Sequence, residues 1–201
     1  MDFLYALLGY GLGSIPFGLV ITRLAGLGDI RDIGSGNIGA TNVLRTGRKD
    51  LALATLLLDS GKGAIAVIIA GFLSEWRELP MALAGAFAFL GHCYPVWLKF
   101  KGGKGVATFL GTLLAMNVMA GAIACLVWLG AAFVTRISSL SALIAAAIAP
   151  VFLFLTGLHI LGFAALFMAV LIFIRHRENI ARLLSGTEPK IGAKKAPPSG
   201  G

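Results

Sequence analysis

The sequence predicts an all-α polytopic membrane protein. It is expected to have seven transmembrane helices, the N-terminus outside, the C-terminus cytoplasmic, and its polar motifs gathered at the cytoplasmic interface. Three observations carry this. Residues 3–22, 79–98, 105–135 and 137–174 contain no Asp, Glu, Lys or Arg. Only 13% of the 201 residues are charged, against about 25% in soluble domains. The basic residues are confined to a few short segments.

The elements follow in order. A helix needs roughly 20 apolar residues to cross a hydrocarbon core of about 30 Å. Residues 3–23 supply the first, and Asp2 with no basic run before it argues for a retained helix over a cleaved leader. A polar, glycine-rich loop A covers 24–50. Helices are predicted over 51–73 and 80–98, joined by a short charged turn, and loop B covers 99–105. Segment 106–134 as one straight helix would reach about 43 Å, too long without strong tilt. It is expected to break near Asn117 or Gly121. Segment 137–174 is expected to hinge near Thr156-Gly157-Leu158-His159.

Charge sets the parity. With seven passes, loop A, loop B, Arg136 and the tail share one face, which then holds every Lys and Arg except Lys62 and Arg77. Six passes would export Arg175, Arg177 and Arg182, against the positive-inside rule. The net charge of +8 thus reflects cytoplasmic loops, and no nucleic-acid partner is expected. Cys93 and Cys125 lie in apolar stretches and read as packing residues, with no disulfide and no metal set. Residues 1–188 read as one integral membrane domain, and the Gly-, Pro- and Lys-rich 189–201 as a disordered tail.

Three polar constellations carry the chemistry. In loop A, Ser35 or Asn37 could cap a short helix ended by Gly47, which would align Asn37, Thr41 and Arg45 on one stripe, with Asn42 nearby. Arg45 suits phosphate, as do free amides at a helix start. The bland alternative is a capped interfacial loop. In loop B, Lys101-Gly102-Gly103-Lys104-Gly105 follows His92, and a helix opens after it. Glycines allow close backbone approach to phosphate and lysines add charge. The Walker A spacing is absent, so ATP does not follow. The alternative is a basic turn on lipid headgroups. Arg175-His176-Arg177-Glu178-Asn179 is expected to continue the last helix, with His176 and Asn179 neighbouring and Glu178 bridging to Arg175 or Arg182. Asp59 and Lys62, at i and i+3 inside a span, read first as a structural pair.

Together with Gly13-Ser14-Ile15-Pro16-Phe17-Gly18, these motifs resemble the bacterial acyl-phosphate:glycerol-3-phosphate acyltransferase family (PlsY) over nearly the whole chain. The resemblance implies transfer of an acyl group from acyl phosphate to the 1-hydroxyl of sn-glycerol 3-phosphate, giving lysophosphatidic acid and phosphate for phospholipid synthesis. By the same resemblance Ser35, Arg45, His176 and Asn179 are expected to be catalytic. Asn37, Thr41, Asn42, His92, Lys101, Gly102, Gly103, Lys104 and Gly105 are expected to bind substrate. An acyl phosphate is already activated, so no metal and no cofactor is expected. The other expected partners are membrane lipids of a bacterial inner membrane, and the chain is expected to act as a monomer. None of the three histidines has Asp five residues on, so the His-x4-Asp pattern of other glycerolipid acyltransferases is missing. Either His176 or a substrate phosphate takes the hydroxyl proton, the second being favoured, and an acyl-Ser35 intermediate ranks last. The competing class is an anion transporter, disfavoured because the polar motifs sit at one interface and the halves do not repeat.

Overall fold

A computed structural model of the chain describes residues 2–192, and every regular element among them is helical. The first span is broken. Helix α1 (Phe3–Gly13) stops before Ser14-Ile15-Pro16, and α2 (Phe17–Leu24) resumes after it. Proline lacks an amide hydrogen and cannot sit within a helix without removing a bond. Loop A carries the short α3 (Ala40–Val43), then α4 (Lys49–Leu73) and α5 (Glu78–Cys93) run antiparallel after it. Helices α6 (Val106–Met116) and α7 (Val118–Thr135) meet at Asn117, whose extended backbone ends one helix while its side chain caps the next through Ala120 N–H at 2.9 Å. Helices α8 (Ser138–Leu155) and α9 (His159–Arg175) meet at Thr156-Gly157-Leu158, with Gly157 left-handed at φ 80°. Both breaks fall where the sequence puts them.

Among the described residues, five segments are long and apolar enough to cross a membrane: Phe3–Leu24, Lys49–Leu73, Glu78–Leu98, Val118–Thr135 and Ser138–Leu155. Helix α9 reaches that test only when taken together with α10 (Arg177–Leu184), across a bend of 62°. Helix α6 has only 11 residues, about 16 Å, roughly half the hydrocarbon core. Large apolar side chains such as Phe133 and Leu155 are more than four-fifths exposed. That is the surface of an integral membrane protein, whose helices satisfy their own backbone and present apolar side chains to lipid.

Small residues let the spans approach. A Cβ on Gly9 or Gly13 of α1 would strike the backbone of Ala84 or Ala88 of α5, and one on Gly111 of α6 would strike Ser60 of α4. Without a hydrophobic drive between helices in lipid, such close packing is what joins them. Phe89, Phe109, Leu113, Leu153, Met168 and Ile172 form the main core between α5, α6, α8 and α9. A second cluster, Leu19, Ile30, Ile38, Val43 and Ala52, packs loop A onto α2 and α4, with Leu98 of loop B's approach against it.

Two expectations fail here. The chain does not run straight on past Arg175 but turns at His176, where the His176 amide and ring both address the Ile172 carbonyl. Glu178 is exposed and makes no ion pair among the described residues; Arg182 instead pairs with Glu188 at 2.7 Å. Of the expected tail, 193–201 lie outside the described residues, while Ile191 N–H donates to the Arg136 carbonyl at 2.7 Å.

Candidate active site

Loop A is organised by Asn42, not by a serine cap. Helix α3 begins after Gly39 with no side-chain cap, and Asn37 precedes it, so the expected Asn37–Thr41–Arg45 stripe does not form. The buried Asn42 amide donates to the carbonyls of Ile30, Ile33 and Asn37 at 2.8–2.9 Å. Its Oδ1 accepts from the Ser35 amide at 2.9 Å and hydroxyl at 3.2 Å. With donors and acceptor engaged, Asn42 holds the loop and has nothing left for a substrate. Ser35, Thr41 and Arg45 are exposed, and Asn37 is half-buried. Arg45 lies against Gly34, next to Ser35. Of the carboxylates that flank Arg45 in sequence, Asp29 is taken by Arg23 and Arg31 and Asp50 by Arg48, while Asp32 makes no ion pair among the described residues.

Loop B folds back on α5. Lys99 and Phe100, both left-handed at φ 51° and 62°, reverse the chain so that Gly102 N–H meets the Cys93 carbonyl and Gly103 N–H the His92 carbonyl, each at 3.1 Å. Cβ atoms at 102 and 103 would land on the His92 carbonyl and on the His92 ring, and one at Gly105 on the Phe89 ring. The glycines are therefore required by packing. The Gly102 and Gly103 amides, expected to face substrate, are already engaged. The open donors lie one step further on. The first bond closing α6 runs from Phe109 N–H to the Gly105 carbonyl at 2.7 Å, so Val106, Ala107 and Thr108 have no intrahelical acceptor. Lys101 is exposed at the loop's rim.

The third motif reaches into the second. Arg175 donates to the carbonyls of Gly102 at 2.8 Å and Gly103 at 3.1 Å, and stacks 5.2 Å over Tyr94. Lys104 Nζ donates to Asn179 Oδ1. Asn179 Nδ2 donates to Glu188 Oε1 at 2.5 Å, which also accepts from Ser139 at 2.7 Å. Burial, then Arg182, pulls the Lys104 ammonium below its usual pKa. Burial alone would raise the Glu188 carboxyl, but the Ser139, Asn179 and Arg182 bonds prevail and hold it low. His176 is buried, and its Nδ1–H donates to the Ile172 carbonyl at 2.8 Å, which leaves Nε2 with the lone pair. Burial, with Lys104 and Arg175 adding to it against the Ile172 bond, pushes its pKa down to about 4. Motifs two and three thus form one constellation. No hydrogen bond among the described residues links Ser35 or Arg45 to it; Leu98, at the approach to loop B, packs against the loop A cluster.

A family model described as glycerol-3-phosphate acyltransferase matches residues 3–186. The chain belongs to that family. A glycerol-3-phosphate acyltransferase of Caulobacter vibrioides (strain NA1000 / CB15N) is 63% identical over 197 residues, covering 95% of this chain and 90% of that protein. One of Dinoroseobacter shibae is 60% identical over 192 residues, covering 96% and 94%. A crystal structure of PlsY, an integral membrane glycerol 3-phosphate acyltransferase in its glycerol 3-phosphate form, is 42% identical with a TM-score of 0.87, covering 95% of this chain and 96% of that one. Its lysophosphatidic acid form gives 41% and 0.85, covering 95% of each.

This acyltransferase carries two site features that sequence reasoning missed. Arg175 looks like one more cytoplasmic cation, yet it ties both loop B carbonyls to α9. Glu188 stands at the edge of a tail that reads as disordered, yet its side chain is only 7% exposed and links Asn179, Ser139 and Arg182. The Arg175 acceptors lie 72 and 73 residues away and Ser139 lies 49 from Glu188, so those links have no local signal; the Asn179 and Arg182 links to Glu188 span only 9 and 6 residues.

Proposed function

We propose that the chain transfers an acyl group from acyl phosphate to the 1-hydroxyl of sn-glycerol 3-phosphate. Lysophosphatidic acid and inorganic phosphate are the products. The observation that carries this reading is the Lys104–Asn179 contact at the open start of α6. It joins a cation, unpaired amides and the helix dipole at one point, the combination that holds a phosphate. Ser139 and Arg182 already hold one anion there, the carboxylate of Glu188, which supports the suitability of the place. Arg45, which makes no ion pair among the described residues, serves the second phosphate group from loop A, with Ser35 beside it. The apolar faces of the spans accept the acyl chain from the bilayer.

In the reaction the acceptor hydroxyl oxygen attacks the acyl carbon, the carbon–oxygen bond to phosphate breaks, and inorganic phosphate leaves. The proton goes to a substrate phosphate oxygen. A phosphate monoester has a second pKa of about 6, so it is a stronger base than His176 at about 4. His176 then orients the hydroxyl through Nε2, and positioning with charge stabilisation supplies the rate. The seven-pass arrangement counts the short α6 and the full-length α7 as separate passes, with loops A and B and the C-terminus facing the cytoplasm of a bacterial inner membrane and the chain acting as a monomer.

Purified protein in liposomes, given acyl phosphate and glycerol 3-phosphate, tests the reading. Phosphate release that needs both substrates and matches lysophosphatidic acid one to one is expected. Uptake of glycerol 3-phosphate into the liposomes without release would instead make the chain a transporter.

A further inference from the structure

Three ionisable side chains lie inside the spans and outside the reaction described above. Asp59 and Lys62 of α4 and His92 of α5 are each at most 4% exposed. Lys62 Nζ sits 2.8 Å from Asp59 Oδ1, donates to the Ile15 carbonyl at the break of the first span at 2.7 Å, and lies 5.8 Å over the Phe17 ring. The pair's charges are thus neutralised and its ammonium is anchored. His92 is the third member. Its Nδ1 faces Asp59 Oδ1 across 3.6 Å, an ion-pair distance too long for a hydrogen bond, and has no hydrogen-bond partner among the described residues. The far side of the same ring, at Nε2, abuts Gly103, while the His92 carbonyl takes the Gly103 amide at 3.1 Å.

A buried ion pair is weak evidence for stability, since apolar replacement of both partners is often neutral or stabilising. What this pair does that apolar side chains would not is present a fixed carboxylate to one edge of an imidazole whose other edge supports loop B. Across 3.6 Å the carboxylate acts on the ring through its charge, favouring an Nδ1–H edge turned toward it and so biasing which way the ring faces.

We propose that Asp59, held by Lys62, is a positioning residue for His92, and that the three together set the height of the Gly102–Gly105 loop and hence the placement of Lys104 and the start of α6. The inference rests on the reading that this loop and helix start hold the phosphate of glycerol 3-phosphate. The chain from Asp59 to the loop passes through one aromatic ring, so a small rotation of that ring moves the loop backbone directly.

The decisive variant is Asp59→Leu with Lys62→Met, which removes both charges at once. The expected result is a folded protein with a KM for glycerol 3-phosphate raised about tenfold, equivalent to about 1.4 kcal/mol, and kcat and the KM for acyl phosphate within about twofold. Adding His92→Ala to that variant is expected to raise KM no further. A wild-type KM in the folded double variant overturns the proposal, because the pair would then only balance its own charge. Gly103→Ala separates the two levels. It is expected to raise the same KM by pushing on the His92 ring. A raised KM there with a wild-type KM in the double variant overturns the positioning role alone, whereas an unchanged KM in Gly103→Ala overturns the loop reading and this inference with it. If the double variant does not fold, His92→Gln against His92→Ala carries the test. KM raised by Ala and restored toward wild type by Gln, which keeps a polar group near Nε2, supports the proposal; wild-type KM in both overturns it.

Discussion

At the scale of single residues, sequence identifies side chains better than it assigns their work. Ser35, Arg45, Lys104, His176 and Asn179 stand out by type; Lys104 and Asn179 touch, while the His176 ring bonds back to its own helix at Ile172. Asn42 stands out equally, yet its amide is consumed by the loop. Nothing in Thr-Asn-Val tells a substrate ligand from a loop hub, because the difference lies in three carbonyls 5 to 12 residues away. His176 gives the sharpest prediction at this scale. Its folded pKa of about 4 lies below the ordinary 6.5. A depressed pKa means that its stabilising contribution is present above about 6.5 and is lost as pH falls toward 4, since the unfolded chain binds the proton first. Thermal unfolding temperature is therefore expected to drop over that window in the wild type, and less in His176→Gln. The same variant is expected to lose about 10-fold in kcat, short of the 10²–10⁴ of an obligatory base, and to keep the acid limb of the rate profile where it was. Disappearance of that limb in His176→Gln would make His176 the base.

At the scale of elements, the apolar runs gave the spans and the polar breaks gave their ends. Asn117 and Gly157 interrupt where length alone demanded an interruption. The bend at His176 escaped, because it arises from side-chain and main-chain competition for the Ile172 carbonyl, which periodicity does not register. The glycines of loop B were legible as close-approach positions. What they approach is α5 and Phe89, as much as any ligand. The clamp that keeps loop B in place is Arg175, a planar donor bonding two carbonyls. Lysine lacks that fork. Arg175→Lys is accordingly expected to raise the KM for glycerol 3-phosphate about tenfold, the loss of about 1.4 kcal/mol, with little change in unfolding temperature. An unchanged KM in steady-state assays would free the clamp from any part in binding.

At the scale of the whole molecule, charge and hydrophobicity fix which ends of the spans lie together, and small-residue packing fixes how closely. Gly9, Gly13 and Gly111 bring α1 to α5 and α6 to α4, so that loops far apart in sequence share one end. That arrangement predicts sidedness. Single cysteines placed at Lys101 and at Gly186 in a cysteine-free background are expected to be shielded from an impermeant thiol reagent in intact cells and labelled after permeabilisation, while one at Trp76 is labelled from outside. On the proposed function, motifs two and three act as one phosphate-holding unit through Lys104 and Asn179. The most direct measurement is the KM for glycerol 3-phosphate in Lys104→Met, Asn179→Ala and the pair. Coupled residues are non-additive, so each single variant and the double are all expected to stand about tenfold above wild type. A double variant near a hundredfold, the product of independent effects, would contradict the account.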